Sequence, residues 1–221
     1  MSELLEAIEI ETGPQPAASV IWLHGLGADG SDFVPVVDAL DLPAVPIRFV
    51  FPHAPMQPVT INQGYVMRAW YDVLSTDFDR RADERGVRAS QQLVEALLAR
   101  EKSRGVGASR IVLAGFSQGG AIALQTGLRH AERLAGIMAL SCYVPLAAAL
   151  PAERSAASRE VPIFMAHGTH DPVIPARLAR ESRDLLAQLG YEVAWHEYPM
   201  EHSVSPEEVE AIGAWLRRVL A

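Results

Sequence analysis

Short apolar runs alternate along this chain with longer amphipathic stretches, and this alternation predicts an α/β protein. Five of the runs are predominantly apolar, which is typical of strands buried on both faces of a sheet. They lie at Ser19–Leu23, Ile47–Phe51, Arg110–Ala114, Leu134–Ser141 and Val161–Ala166. Strands that alternate with helices favour a mostly parallel sheet, here of about seven strands, with helices on both faces.

Other periods predict the edges of the sheet and its covering helices. Leu4–Glu11 alternates apolar and acidic residues, as a half-buried edge strand does, and Glu192–Tyr198 is the last predicted strand. Helical periodicity and helix-end residues predict helices at Phe33–Leu40, Asp83–Arg104, Gly120–Leu128, Ala176–Leu189 and after Ser205. Ser31 or Asp32 is expected to cap the first helix, and Ser205-Pro206-Glu207-Glu208 has the pattern of a capping box.

The segment Pro52–Arg81 has no clean period, although it carries many large apolar residues. Structureless loops longer than about 15 residues are usually functional, and an apolar one is not a solvated linker. We expect the segment to pack on the body and wall a pocket, or else to cover the sheet edge or an interface between two copies of the chain. The candidate wall residues are Met67, Trp70, Tyr71 and Leu74.

Length, charge and cysteine content further limit the kinds of protein that this chain can be. With 221 residues, 49% of them apolar, the chain is expected to form a single domain over residues 1–221. Its net charge of −8, with no lysine or arginine before Arg48, argues against nucleic acid and anionic membranes as main partners. The lone Cys142 excludes an intramolecular disulfide, and no segment predicts a signal peptide or a transmembrane span. A cytoplasmic protein is the simplest expectation.

The sequence Gly115-Phe116-Ser117-Gln118-Gly119 stands between a predicted strand and a predicted helix. This is the context of the G-x-S-x-G nucleophile elbow, in which a tight turn raises a serine above the sheet. The two glycines remove side chains that would collide with the strand or helix beside the turn. The pentapeptide alone also fits a glycine-rich turn with an unreactive serine, so the assignment of Ser117 as nucleophile depends on its partners.

A serine hydroxyl needs a base to take its proton, and histidine does this best near neutral pH. In an elbow site the chain order is serine, acidic residue, histidine, with the groups in loops at the carboxyl ends of strands. Asp171 follows a predicted strand, in a turn-rich loop. After it, His196 lies inside a strand, whereas His202 lies in the loop that follows. We therefore predict a catalytic triad of Ser117, Asp171 and His202. The alternatives are that Asp171 only stabilises its own turn and that His202 is an ordinary surface histidine.

Acyl chemistry also needs backbone donors for the tetrahedral oxyanion. One donor comes from the residue after the nucleophile, and another from the loop after an earlier strand. We assign them to Gln118 and to Leu26, because glycines flank Leu26 in the loop His24-Gly25-Leu26-Gly27. His24 is expected to structure this loop through hydrogen bonds.

No metal or cofactor site is predicted. Metal-binding spacing is absent among the histidines His53, His130, His167, His170 and His196. Cys142 follows a strand and is expected to be buried rather than reactive. Gly25, Gly27 and Gly30 match the letters of a dinucleotide-binding loop. The next strand ends in Phe51-Pro52-His53, without the acidic residue such a site uses for ribose, which disfavours a nucleotide cofactor.

The chain resembles the carboxylesterase / acyl-protein thioesterase (lysophospholipase-like) family of α/β-hydrolases. The stretches that carry the resemblance span nearly the whole chain: His24–Gly30, Pro52–Pro55, Val59–Asn62, Arg68–Asp72, Gly115–Gly120, His167–Val173 and His202–Ser203. The resemblance implies an α/β-hydrolase fold without a large cap domain, the triad and oxyanion residues given above, and no cofactor. Family members cleave carboxylic esters of short to medium acyl chains. Some cleave thioesters on lipidated proteins or lysophospholipids, and several form homodimers.

We therefore expect a serine carboxylesterase that hydrolyses carboxylic esters of short to medium acyl chains through an acyl-enzyme on Ser117. Its substrate would be a small-molecule or lipid-like ester. The alternatives on the same site are an acyl-protein thioesterase, a lysophospholipase and an acyltransferase. A binding protein that retains the fold without catalysis is disfavoured by the intact set of catalytic residue types.

Overall fold

Seven strands form the central sheet in the computed structural model, which describes residues 4–75 and 83–221. The described ranges contain nine strands, of which β4 and β5 stand apart from the central sheet: β1 (Ala7–Glu11), β2 (Ala18–Leu23), β3 (Ile47–Pro52), β4 (Met56–Val59), β5 (Tyr65–Arg68), β6 (Ile111–Phe116), β7 (Gly136–Leu140), β8 (Ile163–Gly168) and β9 (Val193–Tyr198). The sheet order is β1-β3-β2-β6-β7-β8-β9, with β1 antiparallel to β3 and the other pairs parallel. The predicted mostly parallel sheet, with an edge strand at its beginning, is confirmed.

Helices cover both faces of this sheet, as predicted. They are α1 (Glu84–Ser103), α2 (Gln118–Gly127), α3 (Leu150–Glu153), α4 (Ala176–Gln188) and α5 (Pro206–Val219). Alternate residues of a strand point to opposite faces, and β2 accordingly sends Ile21 into one apolar core and Trp22 into another. The first core contains residues of α1, α2 and α4, and the second contains Ile212, Trp215 and Leu216 of α5. No helix in the described ranges combines the length and apolar character needed to cross a bilayer.

The capping residues at the helix N-termini agree only in part with those predicted from the sequence. Ser205 caps α5, because its Oγ accepts the N–H of Glu208 at 3.2 Å, with Pro206 at the first helical position. Both carboxyl oxygens of Glu208 are buried, and neither makes a hydrogen bond of good geometry among the described residues, although the Ser205 N–H is near enough to lower the pKa of this group. The predicted helix near residue 33 is a 3₁₀ segment, Val34–Ala39, and no side chain caps it. The expected cap at Ser31 or Asp32 is therefore wrong.

The segment Pro52–Arg81 contains regular structure that the sequence did not reveal. Strands β4 and β5 pair antiparallel as a separate two-stranded sheet, with a 3₁₀ turn, Thr60–Asn62, between them. Each strand has only four residues, β4 contains Pro58, and the apolar side chains of Met56 and Tyr65 are exposed, so no alternating pattern marks either strand. Residues 76–81 of this segment lie outside the described ranges.

The carboxyl ends of the parallel strands lie along one edge of the sheet. Four of these ends are followed by residues that the sequence singles out. Leu26 follows β2, Ser117 follows β6, Asp171 follows β8 and His202 follows β9. The fold therefore assembles residues that are up to 176 positions apart in the sequence into one region.

Candidate active site

Ser117 occupies a strained turn between β6 and α2. Its backbone angles are φ 55° and ψ −121°, a sparsely populated combination for a residue with a side chain. The turn is held by the Ser117 N–H, which donates to the carbonyl of Leu140 at 2.8 Å. A Cβ atom on Gly115 would lie 2.3 Å from the backbone of Gly119, and one on Gly119 would lie 2.3 Å from the carbonyl oxygen of Leu23. Glycine is therefore required at both positions for this close approach.

Ser117, His202 and Asp171 form one hydrogen-bonded chain. The Oγ atom of Ser117 lies 2.9 Å from Nε2 of His202, and Nδ1 of His202 lies 2.6 Å from Oδ2 of Asp171. An ionised carboxylate only accepts hydrogen bonds, so Nδ1 carries the proton and Nε2 is left to accept from the serine hydroxyl. The other carboxylate oxygen, Oδ1, accepts the N–H groups of Val173 at 2.8 Å and Ile174 at 2.9 Å. This is the geometry in which a histidine can remove a proton from serine.

The electrostatic environment keeps Asp171 ionised. Burial alone would raise the pKa of this carboxyl group, but the hydrogen bond with His202 and the backbone N–H groups of Ile174 and Val173 outweigh it, and the pKa is lowered. The ring of His167 supports the same loop, since its Nε2 donates to the carbonyl of Ile174 at 2.9 Å and lies 3.4 Å from Oδ2 of Asp171. Burial lowers the pKa of His167, which favours its neutral form.

The two late histidines have different surroundings. His202 lies in the loop before the capped start of α5, and its ring packs against Phe116 with centroids 4.8 Å apart. His196 lies within β9, and its ring stacks on Phe164 with centroids 4.9 Å apart. Burial lowers the pKa of His196. Only His202 of this pair makes hydrogen bonds to both Ser117 and Asp171.

The loop after β2 approaches Ser117 and is rigidly held. His24 is buried, its Nε2 accepts the N–H of Ala54 at 3.0 Å, and its Nδ1 donates to the carbonyl of Gly25 at 2.7 Å. The expectation that His24 structures the loop is confirmed. Leu26 and Gln118 line the same cavity as Ser117, and the Gln118 N–H, in the first turn of α2, has no intrahelical acceptor. The assignment of the Leu26 and Gln118 N–H groups as oxyanion donors stays a prediction.

A cavity of about 320 Å³ opens beside Ser117. Its remaining lining is largely apolar and consists of Ile61, Asn62, Tyr71, Val73, Tyr143, Pro172, Val173 and Ile174. Of the four wall residues named from the sequence, Tyr71 lies in this lining. The other three lie outside the lining: Trp70 is buried, and Leu74 is partly exposed, so the expectation that Met67, Trp70 and Leu74 wall this cavity is wrong.

Sequence reasoning missed most of the lining, but two signals pointed towards it. Ile61 and Asn62 belong to a stretch that carries the family resemblance, and so do Pro172 and Val173. Tyr143 directly follows Cys142 beyond the end of β7, at the same sheet edge as the other site residues. Its hydroxyl lies 3.2 Å from that of Tyr71, so a hydrogen-bonded tyrosine pair contributes to the wall.

Metal-binding geometry is absent from residues 4–75 and 83–221, where no group of three or more histidine, cysteine or acidic side chains is placed to hold an ion. Cys142 is buried, and burial raises the pKa of its thiol, so it is not a reactive thiolate. Two N–H groups of the glycine-rich loop already donate hydrogen bonds to other residues of the chain. The Gly27 N–H donates to the carbonyl of Arg68 at 2.9 Å, and the Gly30 N–H donates to Nδ1 of His53 at 3.0 Å.

Comparison with known proteins identifies the family. The phospholipase/carboxylesterase family profile matches residues 5–220. A relative from Gibberella zeae, named acyl-protein thioesterase 1, is 38% identical over 220 residues, which cover 93% of this chain and 92% of the relative. A relative of the same name from Neurospora crassa is 40% identical over 213 residues, covering 90% of this chain and 85% of the relative.

A solved structure gives the same result. The crystal structure of Arabidopsis thaliana SOBER1 has a TM-score of 0.86 to this fold at 30% identity, and the match covers 92% of this chain and 99% of SOBER1. The sheet order, the serine at the strand-to-helix turn and these similarities agree with one another. The chain belongs to the phospholipase/carboxylesterase family of α/β-hydrolases, and it is a serine hydrolase.

Proposed function

We propose that this hydrolase is an acyl-protein thioesterase, which releases a fatty acyl group from the sulfur of a cysteine. The observation that carries the proposal is the hydrogen-bonded chain of Ser117, His202 and Asp171, whose Ser117 lines a largely apolar cavity. The names of the relatives support the thioesterase alternative better than the generic carboxylesterase first expected from the sequence. Residues 1–221 would act as one hydrolase domain, in keeping with a family match over residues 5–220.

In the acylation step, Ser117 Oγ attacks the thioester carbonyl carbon while His202 Nε2 takes the hydroxyl proton. Asp171 holds the imidazole ring and stabilises its positive charge. The carbonyl oxygen becomes an oxyanion that accepts the backbone N–H groups of Leu26 and Gln118. The carbon–sulfur bond then breaks, the thiol leaves with the proton from His202, and the acyl group remains on Ser117.

In the deacylation step, His202 removes a proton from water, and the resulting hydroxide attacks the acyl-enzyme carbonyl. The same two N–H groups stabilise the second oxyanion. Collapse of this intermediate breaks the bond to Ser117, whose oxygen recovers its proton from His202. The free fatty acid leaves, and the site returns to its starting state without a cofactor.

A pair of matched peptides tests the proposal against the carboxylesterase alternative. The peptides have one sequence and carry an octanoyl group on cysteine sulfur in one case and on serine oxygen in the other. A thiolate is a weaker base than an alkoxide and leaves more readily, so we expect kcat/KM for the thioester to be higher by about tenfold or more. Hydrolysis of the oxygen ester with no turnover of the thioester would overturn the proposal in favour of a carboxylesterase.

Two further assays address the remaining alternatives. Release of fatty acid from lysophosphatidylcholine at a higher kcat/KM than from the acyl peptide would indicate a lysophospholipase. A transfer product in the presence of an added alcohol, formed faster than free acid, would indicate an acyltransferase. The homodimer implied by the family resemblance remains a prediction, which the molar mass in solution would test.

A further inference from the structure

Trp70 lies between the two segments that would supply the oxyanion donors. It is 1% exposed, and it belongs to the segment that follows strand β5. Its backbone N–H donates to Oε1 of Gln118 at 2.7 Å, and its indole Nε1–H donates to the carbonyl of His24 at 2.9 Å. One buried residue is therefore bonded to both sides of the site.

The Gln118 side chain is committed to this contact. Besides accepting from Trp70, its amide Nε2 donates to the carbonyl of Tyr71 at 2.7 Å, and the side chain is buried. The backbone N–H of the same residue, in the first turn of α2, is one of the proposed oxyanion donors. Because the side chain and the backbone N–H share one Cα, the hydrogen bonds to Trp70 and Tyr71 restrict where that donor can lie.

The opposite segment is fixed by an equivalent set of bonds. The His24 carbonyl accepts from Trp70, and the Gly25 carbonyl accepts from the ring of His24 at 2.7 Å. The Gly25–Leu26 peptide group carries the second proposed donor, the Leu26 N–H. The next N–H, that of Gly27, donates to a carbonyl at 2.9 Å. Every peptide group around the Leu26 donor is thus bonded, and Trp70 provides the link back to Gln118.

We propose that Trp70 is a positioning residue that fixes the separation of the Leu26 and Gln118 N–H groups, so that both reach one oxyanion. This inference rests on the proposed oxyanion hole and deepens it. An oxyanion exists in the transition state and not in the bound substrate, so loss of this bridge reduces kcat and leaves KM nearly unchanged. Trp70 also belongs to the apolar core. If its role were only structural, its loss would reduce the folded fraction and would not lower kcat selectively over KM in the molecules that fold.

The substitution Trp70→Phe removes the indole N–H and keeps an aromatic ring. Trp22→Phe is the matched control, because Trp22 is also 1% exposed and its Nε1 has no hydrogen-bond partner among the described residues. Rates for p-nitrophenyl acetate are divided by the concentration of sites that a fluorophosphonate titrates to completion. This correction removes any effect of an inactive fraction, and the assay does not require thioesterase activity.

We expect Trp70→Phe to lower kcat about ten- to a hundredfold with KM within about twofold, as displacement of a preorganised donor does. Trp22→Phe should keep kcat within about twofold of wild type. An alkylboronic acid forms a tetrahedral anion on Ser117, so its Ki should rise by the factor by which kcat/KM falls. Equal kcat values for the two variants, or an unchanged Ki for Trp70→Phe, would overturn the inference.

A second variant covers the case in which Trp70→Phe does not fold. Gln118→Met removes both side-chain hydrogen bonds at the other end of the bridge and keeps the backbone N–H. The same fall in kcat and rise in Ki are expected, and their absence overturns the inference. If wild type is labelled at Ser117 but does not cleave acyl thioesters, the proposed thioesterase function fails, whereas the comparison of variants remains valid.

Discussion

Asp171 and Glu208 are both buried carboxyl groups, yet their surroundings give them opposite charge states at neutral pH. Asp171 accepts hydrogen bonds from His202, Val173 and Ile174, and its pKa is lowered. Glu208 has no hydrogen-bond partner among the described residues for either oxygen. Burial raises the pKa of Glu208 to about 8, and the nearby backbone N–H of Ser205 lowers it by a smaller amount.

The difference shows that burial alone does not create a catalytic carboxylate. Burial disfavours the charged form in both groups, and only at Asp171 do donors, from His202 and from the loop after β8, reverse that effect. Asp171 is ionised and can stabilise an imidazolium, whereas Glu208 is protonated and neutral below about pH 8. We therefore expect changes at Asp171 to affect catalysis and changes at Glu208 to affect stability.

The largest expected effect comes from removing His202, the histidine that is hydrogen-bonded to Asp171 and not to Glu208. His202→Ala removes the proposed base and should lower kcat on the order of 10⁵- to 10⁶-fold, as loss of a triad histidine does. His196→Ala is the matched control, because this ring stacks on Phe164 and should cost about 1 kcal/mol of stability. Steady-state rates and chemical denaturation of both variants measure these effects. An inactive His196→Ala beside an active His202→Ala would place the base elsewhere.

The next largest effect tests the carboxyl groups directly. Asp171→Asn should lower kcat about 10⁴-fold, because an amide favours the wrong histidine tautomer and stabilises no imidazolium. Glu208→Gln should leave kcat within about twofold of wild type, since this group lies outside the hydrogen-bonded chain. The two rates are measured at one pH near neutrality. Similar losses in both variants would mean that Glu208 also contributes to catalysis and that the two carboxyl groups do not differ in role.

A third effect concerns stability against pH. In the folded state the pKa of Glu208 is about 8, and its ordinary value is 4.5, so between these values the folded chain binds a proton that the unfolded chain does not. Stability supplied by this group is complete below about pH 4.5 and is lost as pH rises towards 8.

Glu208→Gln should remove this dependence. The free energy of unfolding of the variant, relative to wild type, should rise by about 1 kcal/mol for each pH unit inside the window. Denaturation by urea at pH 5.5, 6.5 and 7.5 on both proteins measures the difference, and groups unchanged by the substitution cancel. A difference that is the same at every pH would show that Glu208 is already ionised in the folded state.

The smallest effect concerns the cavity beside Ser117, whose lining includes Pro172, Val173 and Ile174 of the loop that carries Asp171. Burial of an acyl chain gains about 0.8 kcal/mol for each CH₂, so two added carbons should raise kcat/KM about tenfold until the cavity is full. Ile61→Ala should flatten this rise, whereas Leu74→Ala, outside the lining, should not. A series of p-nitrophenyl esters from acetate to decanoate measures both profiles. Equal profiles for Ile61→Ala and wild type would place the acyl chain elsewhere.

The sheet and the residues of the hydrogen-bonded chain could be predicted because their signals are local. Apolar runs mark the buried strands, and a glycine-flanked serine marks the turn after β6. Asp171 and His202 follow from the rule that reactive groups collect beyond the carboxyl ends of parallel strands. His202 could be separated from His196 because one lies after β9 and the other within it.

The cavity and the environment of Glu208 depend on contacts that no local pattern contains. Strands β4 and β5 are too short to show a period, so the sequence predicts Tyr71 as a wall residue but does not predict the positions of Ile61 and Asn62 relative to Ser117. The S-x-x-E spacing predicted a reciprocal bond for Glu208, whereas the packed side chain instead lies without a partner. The sequence predicts Trp70 as a pocket wall. Its hydrogen bonds to His24 and Gln118 place it between the segments that carry the proposed oxyanion donors, which no sequence pattern indicates.

In the proposed reaction, Ser117 is the nucleophile that takes the acyl group from cysteine sulfur. The most direct measurement compares wild type and Ser117→Ala for hydrolysis of an S-octanoyl peptide, with fluorophosphonate adducts mapped by mass spectrometry. Wild type should release octanoate and carry one adduct on the peptide that contains Ser117. Ser117→Ala should unfold at a similar denaturant concentration, release no octanoate above background and take no adduct. A folded Ser117→Ala with a near wild-type rate, or an adduct on another residue, would contradict the account.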